Sequence, residues 1–410
     1  VLPALLPVLA LLAGLLSSCS ALDPDAPEGP TASADVTAEV RGLLERHARA
    51  VRSGELAAFL DDVDASRPAF HARQKRYFRN LQQLPLARFG WRVPDGSVTR
   101  TEQGLRALVT QRMKLRGYDA VPVTTPQALT FTRDDEGRLL LSDDRDRAYA
   151  EQQGVDPAPW DLERIHVREG DGVLGIFDAG SLPAADATVA AVERGIAAVD
   201  AEVPLDWPGT VVVYALGDRS LIDSIDNLPG GDPDRLDGVA FPVRASPRNR
   251  ALAGTRFLLH PRMVDRDGEL RDRLIRHELT HVALGLRDDR VPTWLSEGLA
   301  EYVSVQPVPS YRRMIARAAL EKARDGIDRL PRNRTFNGPD SGAHYGIAWY
   351  ACEYVAAAFG EDALWRLFDA MRAGDGTREK GQDKVLRRVL GIDGHQLAQS
   401  AAAKITGTFG

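Results

Sequence analysis

The sequence predicts an α+β fold in two unlike halves, and three observations carry that prediction. Helical and strand-like periodicities are segregated along the chain and do not alternate, which separates α+β from α/β proteins. Two hairpin-like patterns fall between residues 128 and 177. From Glu269 onward nearly every segment has the spacing of an amphipathic helix. With 410 residues, 44% of them hydrophobic, the chain can bury a large core and has the length of two or three domains. Its formal charge of −6, with no block of basic residues, argues against nucleic acid as a partner.

The chain opens on an apolar run, Val1 to Leu16, too short for a comfortable membrane span and followed by Ser17-Ser18-Cys19. This ending resembles the bacterial lipoprotein box. The resemblance implies that residues 1–19 are a signal peptide, that Cys19 is lipidated, and that the mature protein sits on the extracytoplasmic face of the cell membrane. Residues 20–35, rich in Pro, Ala, Asp and Ser, read as a flexible tether.

Val36, Val40, Leu43, Leu44 and Val51 share one helical face, with Gly54 as the stop, and a second helix is predicted over 68–83. Phe89, Trp91 and Val93 alternate as a strand. Ala128 to Arg133 is expected to pair with Arg138 to Ser142 across Asp134-Asp135-Glu136-Gly137, and Ile165 to Val167 with Val173 to Phe177. These elements predict an α+β domain over 36–178. Helices followed by a meander resemble, in topology, the cystatin-like cone shared with nuclear-transport-factor-like proteins. Such cones can hold a ligand, but a fold does not supply a function. His47 and His71 are read as packed or surface residues, not as part of a catalytic group.

A Gly/Pro/Ala seam, Asp178 to Pro183, leads to a second domain over 183–410. Val189, Val192, Ile196, Val199 and Val203 mark a helix, and Thr210 to Ala215, Gly238 to Val243 and Thr255 to His260 mark strands. Helices follow over about 269–284, 291–304, 308–325, 343–359, 361–371, 378–389 and 393–405. Cys352 falls inside one of them and reads as a buried, inert thiol.

The chemistry concentrates in His277 to Glu301. His277 and His281 are four residues apart, so on a helix both imidazoles leave the same face one turn apart. They continue a row through Leu270 and Leu274 that is expected to face inward. Two imidazoles and one carboxylate make the protein share of a catalytic zinc site, with Glu297 as third ligand and Zn2+ as the cofactor. Glu278 is then placed to take a proton from the attacking water. Gly285 and the turn Asp288 to Pro292 bring the chain back, so that Glu297 rides on a second helix.

His-Glu-x-x-His followed by Trp294-Leu295-Ser296-Glu297-Gly298-Leu299-Ala300 resembles the gluzincin, or peptidase MA-like, metallopeptidases, especially the thermolysin-like and aminopeptidase N families. The resemblance implies a zincin-type peptidase domain, a peptide or protein substrate, His277, His281 and Glu297 as zinc ligands, and Glu278 as base. Glu301 resembles the acidic residue that orients a ligating histidine. Ala343-His344-Tyr345-Gly346 resembles the tyrosine-bearing helix of aminopeptidase N relatives, making Tyr345 the first choice for the oxyanion donor and His344 its competitor. Thr255 to His260 is expected to be the edge strand that holds an extended substrate. The spacing departs from the family, with fifteen residues between His281 and Glu297, fewer than is usual there. No Gly-x-Met-x-Asn segment precedes the motif, and 236–243 contains no glutamate to hold a free amine, which favours an endopeptidase. The alternative is a non-catalytic lipoprotein that keeps such a metal site as part of a binding surface.

Overall fold

Ser33 starts the first helix, α1 (Ala34–Ser53), by accepting a hydrogen bond from the Val36 N–H, and Gly54 stops it in the left-handed conformation at φ 75°. The computed structural model describes residues 29–225, 232–374 and 376–410. The predicted signal peptide, Cys19 and most of the predicted tether therefore lie outside the described residues. The tether's last residues are tied down: Ala32 N–H donates to Val98 O at 2.8 Å and Arg100 N–H to Pro30 O at 3.0 Å.

After α1 come α2 (Leu56–Asp61) and α3 (Pro68–Leu81), then β1 (Leu86–Arg92), β2 (Val98–Thr101), β3 (Gly104–Leu115), β4 (Val123–Arg133) and β5 (Leu139–Asp143). The strands form one antiparallel sheet in the order β1-β3-β4-β5, with β2 also on β3. The predicted hairpin forms, with Arg133 opposite Leu139. The central strand β3 has no counterpart in the predicted elements. Leu108 is buried alongside Ala107 and Val109, which blurs its two-residue alternation.

Two short helices, α4 (Arg147–Gln153) and α5 (Pro159–Leu162), lead to β6 (His166–Gly170) and β7 (Val173–Phe177). The second predicted hairpin forms too, but not in the N-terminal unit. Its strand β7 runs parallel to β8 (Val211–Ala215), which follows α6 (Ala185–Glu202). The second sheet is completed by β9 (Gly238–Ser246) and β10 (Asn249–Leu259), in the order β6-β7-β8-β10-β9. The boundary predicted at 178–183 thus cuts between two paired strands. Every residue of β7 is buried, as expected of a strand covered on both faces inside a mixed sheet. A second correction concerns the edge. Thr255 to His260 lies inside the sheet, paired with β8 on one side and β9 on the other, and β9 is the edge.

One face of this sheet, with Val211, Val213, Phe257 and Leu259, packs into the helical core; the other, with Val212, Tyr214 and Leu258, packs on Phe78, Leu81 and Trp160 of the N-terminal unit. The rest of the chain is α7 (Pro261–Val264), α8 (Glu269–Leu284), α9 (Thr293–Val305), α10 (Arg317–Asp325), α11 (Ser341–Phe359), α12 (Glu361–Ala373), α13 (Glu379–Leu390) and α14 (Gly394–Phe409). The fold is mixed α+β, as predicted. Cys352 is buried in α11 as a free thiol. Among the described residues no helix is long and apolar enough to cross a membrane.

Candidate metal centre

Helix α8 buries Ile275, Leu279 and Val282, and α6 approaches so closely that a Cβ on Gly195 would stand 2.7 Å from Leu279 Cδ1. The histidine row is a different face of the same helix. Its predicted first member, Leu270, is 56% exposed, so the row does not point into the core throughout. It runs from solvent at Leu270 to a buried polar pocket at His277. Gly285 ends α8 with a positive φ, a turn of 3-10 helix covers Gly285–Arg290, and α9 starts after Pro292. Gly298 lets α9 press against α11, because a Cβ there would lie 2.4 Å from Ala348 O and 2.8 Å from Cys352 Sγ.

These contacts bring the three predicted ligands together. His277 Nε2 is 3.2 Å and His281 Nε2 3.4 Å from the same oxygen, Glu297 Oε2, and the two nitrogens are 3.3 Å apart. The group can hold a metal ion. The outer nitrogens have partners of their own. His277 Nδ1 lies 3.2 Å from Glu301 Oε1, the residue predicted for that task. His281 Nδ1 lies 3.1 Å from Asp288 Oδ2, which also accepts from Ser296 Oγ at 2.7 Å. A proton donated from His281 Nδ1 to Asp288 leaves its Nε2 lone pair aimed at the shared point, while His277 Nδ1 stands beside the Glu301 carboxylate without hydrogen-bond geometry. Glu301 is itself fixed by Arg273, whose guanidinium stacks 4.7 Å over Trp349.

Electrostatically the pocket draws in positive charge. Burial pulls the His277 pKa down, but the accepting carboxylates of Glu297 and Glu301 outweigh it and raise the value to about 9. His281 is likewise held well above its ordinary value against burial, by Glu297 and Asp288. Glu297 is held far below the carboxylate range, the two histidines overcoming the upward push of burial. Glu278 is 6% exposed, and burial raises its pKa even beside the histidines. Its Oε2 accepts a hydrogen bond from the Ala240 N–H of edge strand β9 at 2.7 Å.

Tyr345 comes to the site and His344 does not join it in the same way. The Tyr345 ring centre is 6.0 Å from that of His277; burial, then the carboxylates of Glu297, Glu278 and Glu301, keep its phenol protonated far above the ordinary range. His344 Nδ1 is 2.8 Å from Phe336 O, a helix-start contact. Trp294 is buried and donates to Gln382, so it locks α9 in place.

Asp288 and the Ala240 amide were not among the predicted site residues. Asp288 falls in the turn between the two ligand helices, where an acidic residue reads equally well as turn chemistry. The Ala240 amide carries no side-chain signal at all. A second acidic group, Glu163, Asp178 and Asp218, also lies close enough to share an ion. There Asp178 is occupied with the backbone, accepting from the Ser181 and Gly217 N–H groups at 2.7 Å each. Comparison with known proteins adds no relative: no family model matches the chain, and none of the curated proteins does.

Proposed function

We propose that the chain is a zinc-dependent peptidase of the gluzincin kind, most simply an endopeptidase, carried on the outer face of a bacterial membrane by lipidated Cys19. The observation that carries the reading is the triangle of His277 Nε2, His281 Nε2 and Glu297 Oε2, with edges of 3.2 to 3.4 Å. Tetrahedral ligand atoms about 2.0–2.1 Å from zinc are separated by about 3.3 Å, so the donor set fits this ion in number, type and spacing.

A bound zinc ion would supply Lewis acidity, polarising a substrate carbonyl and making an attacking water more acidic. The remaining work falls to the chain. Glu278 is held by the Ala240 amide beside the histidines, and its raised proton affinity suits a base that takes the water's proton and passes it to the leaving amine. Tyr345, protonated across the physiological range, can donate its phenolic hydrogen to the developing oxyanion. Asp288 and Glu301 keep the imidazoles turned inward.

The test is zinc content together with hydrolysis of a broad peptide library, comparing wild type with Glu278→Gln. One zinc per chain is expected in both, with hydrolysis by the variant lower by about 100-fold or more. Zinc in both proteins but no cleavage by the wild type would favour the non-catalytic binding module. A wild type that takes up no zinc would overturn both readings.

A further inference from the structure

The N-terminal unit and β9, with Tyr214 and Arg256 of the neighbouring strands, line an open cavity of about 890 Å³. This is near the upper end of the range of sites that hold a drug-sized ligand, and large enough for several residues of a polypeptide. We infer that the cavity binds an extended segment of polypeptide, and that the N-terminal unit is therefore a substrate-docking wall of the metal site; the identity of the occupant as substrate rests on the peptidase reading above.

Three observations lead there. The first is continuity. The Ala240 amide holds Glu278, while the next residue, Phe241, already lines the cavity. Successive strand residues face opposite sides of a sheet: Ala240 packs toward the helical core and Phe241 toward the N-terminal unit. An extended chain laid along this edge would send alternate side chains to the metal side and to the cavity. At this point the edge offers an incoming chain its carbonyls alone, since the Ala240 N–H is taken by Glu278 and Pro242 has no N–H.

The second observation is the chemistry of the walls. Gln111 donates to Tyr77 Oη at 2.9 Å, and Trp91 Nε1 donates to Gln127 at 2.8 Å, so amides and hydroxyls stand beside aromatic rings, while Arg73, Asp144, Arg145 and Asp161 add charge of both signs to the same walls. Arg256 also lines the cavity; it is 3% exposed, and its Nε has no hydrogen-bond partner among the described residues.

The third is rigidity. A spacer would be free to swing, but here Arg256 and Asp119, 3% and 1% exposed in their side chains, form an ion pair at 2.5 Å between the two halves. Ala120 N–H donates to Ala253 O at 2.7 Å, and Thr124 Oγ1 to Ala245 O at 2.6 Å. The cavity walls are thus held in fixed relation to the strand that reaches Glu278.

The experiment uses the full chain with zinc and two internally quenched peptide libraries of mixed sequence. One has about four residues; the other has about twelve, reaching about 40 Å when extended. Thr125→Trp and Ser246→Trp fill the cavity from β4 and from β9, and the melting transition and zinc content identify whichever variant is folded. Wild type is expected to prefer the long library by about tenfold or more in kcat/KM, mainly through KM, and either filled variant to bring that ratio to about one. A ratio that survives both substitutions overturns the inference and leaves the peptidase reading standing. In parallel, binding of a fluorescein-labelled long library to Glu278→Gln is followed by anisotropy, with and without Thr125→Trp. Binding that Thr125→Trp abolishes, with no cleavage by wild type, would remove the peptidase and keep the docking wall. Absence of both binding and cleavage removes both.

Discussion

His47 and His277 are both buried, 1% and 7% exposed, yet their proton affinities move in opposite directions. His47 stacks on Phe59 at 3.6 Å and lies near Trp91, and burial pushes its pKa from an ordinary 6.5 down to about 3. His277 pays the same penalty but faces Glu297 and Glu301, and it ends near 9. Burial alone expels charge from an imidazole; carboxylates arranged around it bring charge back, whether carried by a proton or a metal ion. What separates a packed histidine from a candidate ligand in this chain is therefore the company it keeps.

The comparison is sharpest under acid. Unfolded His47 takes up a proton near pH 6.5 while the folded residue stays neutral to about pH 3. Its contribution is thus complete above pH 6.5 and lost as pH falls between those values, at up to about 1.4 kcal/mol per pH unit. Denaturant unfolding at several pH values should show this slope, and His47→Leu should flatten it. An unchanged slope in the variant would mean that His47 is not the group responsible.

Next in size is loss of a ligand. Replacing His277, His281 or Glu297 by Ala should weaken zinc binding by more than about 100-fold, whereas His47→Ala should leave it unchanged; competition with a chelator measures both. Equal loss in all four would erase the distinction between the two kinds of histidine. The surrounding carboxylates come third. Asp288→Asn and Glu301→Gln should each cost about 10- to 100-fold in zinc affinity by the same titration. No change in either would mean that the imidazoles are oriented by packing alone.

The smallest effect is expected at Leu270. Because it is exposed, Leu270→Ala should stay within about 0.5 kcal/mol of wild type in unfolding free energy. Leu279→Ala, on the buried face of the same helix, should cost about 2–5 kcal/mol. A comparable loss at both positions would restore the inward-facing row that the sequence predicts.

Much of the candidate site could be read from residue order because it rests on helices. The spacing of His277, His281, Glu297 and Glu301 is converted into faces by a fixed local geometry, and the turn between α8 and α9 is short enough to leave few ways of joining them. Tyr345 was reached only through resemblance, and its position beside His277 depends on how α11 packs against Gly298. Asp288 was visible as a residue but not as a partner for His281.

By itself, then, the sequence determined the helix pair, its ligand spacing, the α+β character and both hairpins, all features set by interactions within a few turns or across one tight loop. Tertiary structure alone decided that β6 and β7 join the second sheet, that β9 is its edge, that a backbone amide holds Glu278, and that the N-terminal unit and β9 line a common cavity. Those outcomes depend on strand pairing between distant segments and on backbone groups that every residue carries. The contacts that select among such pairings lie far apart along the chain, and no local pattern records the choice.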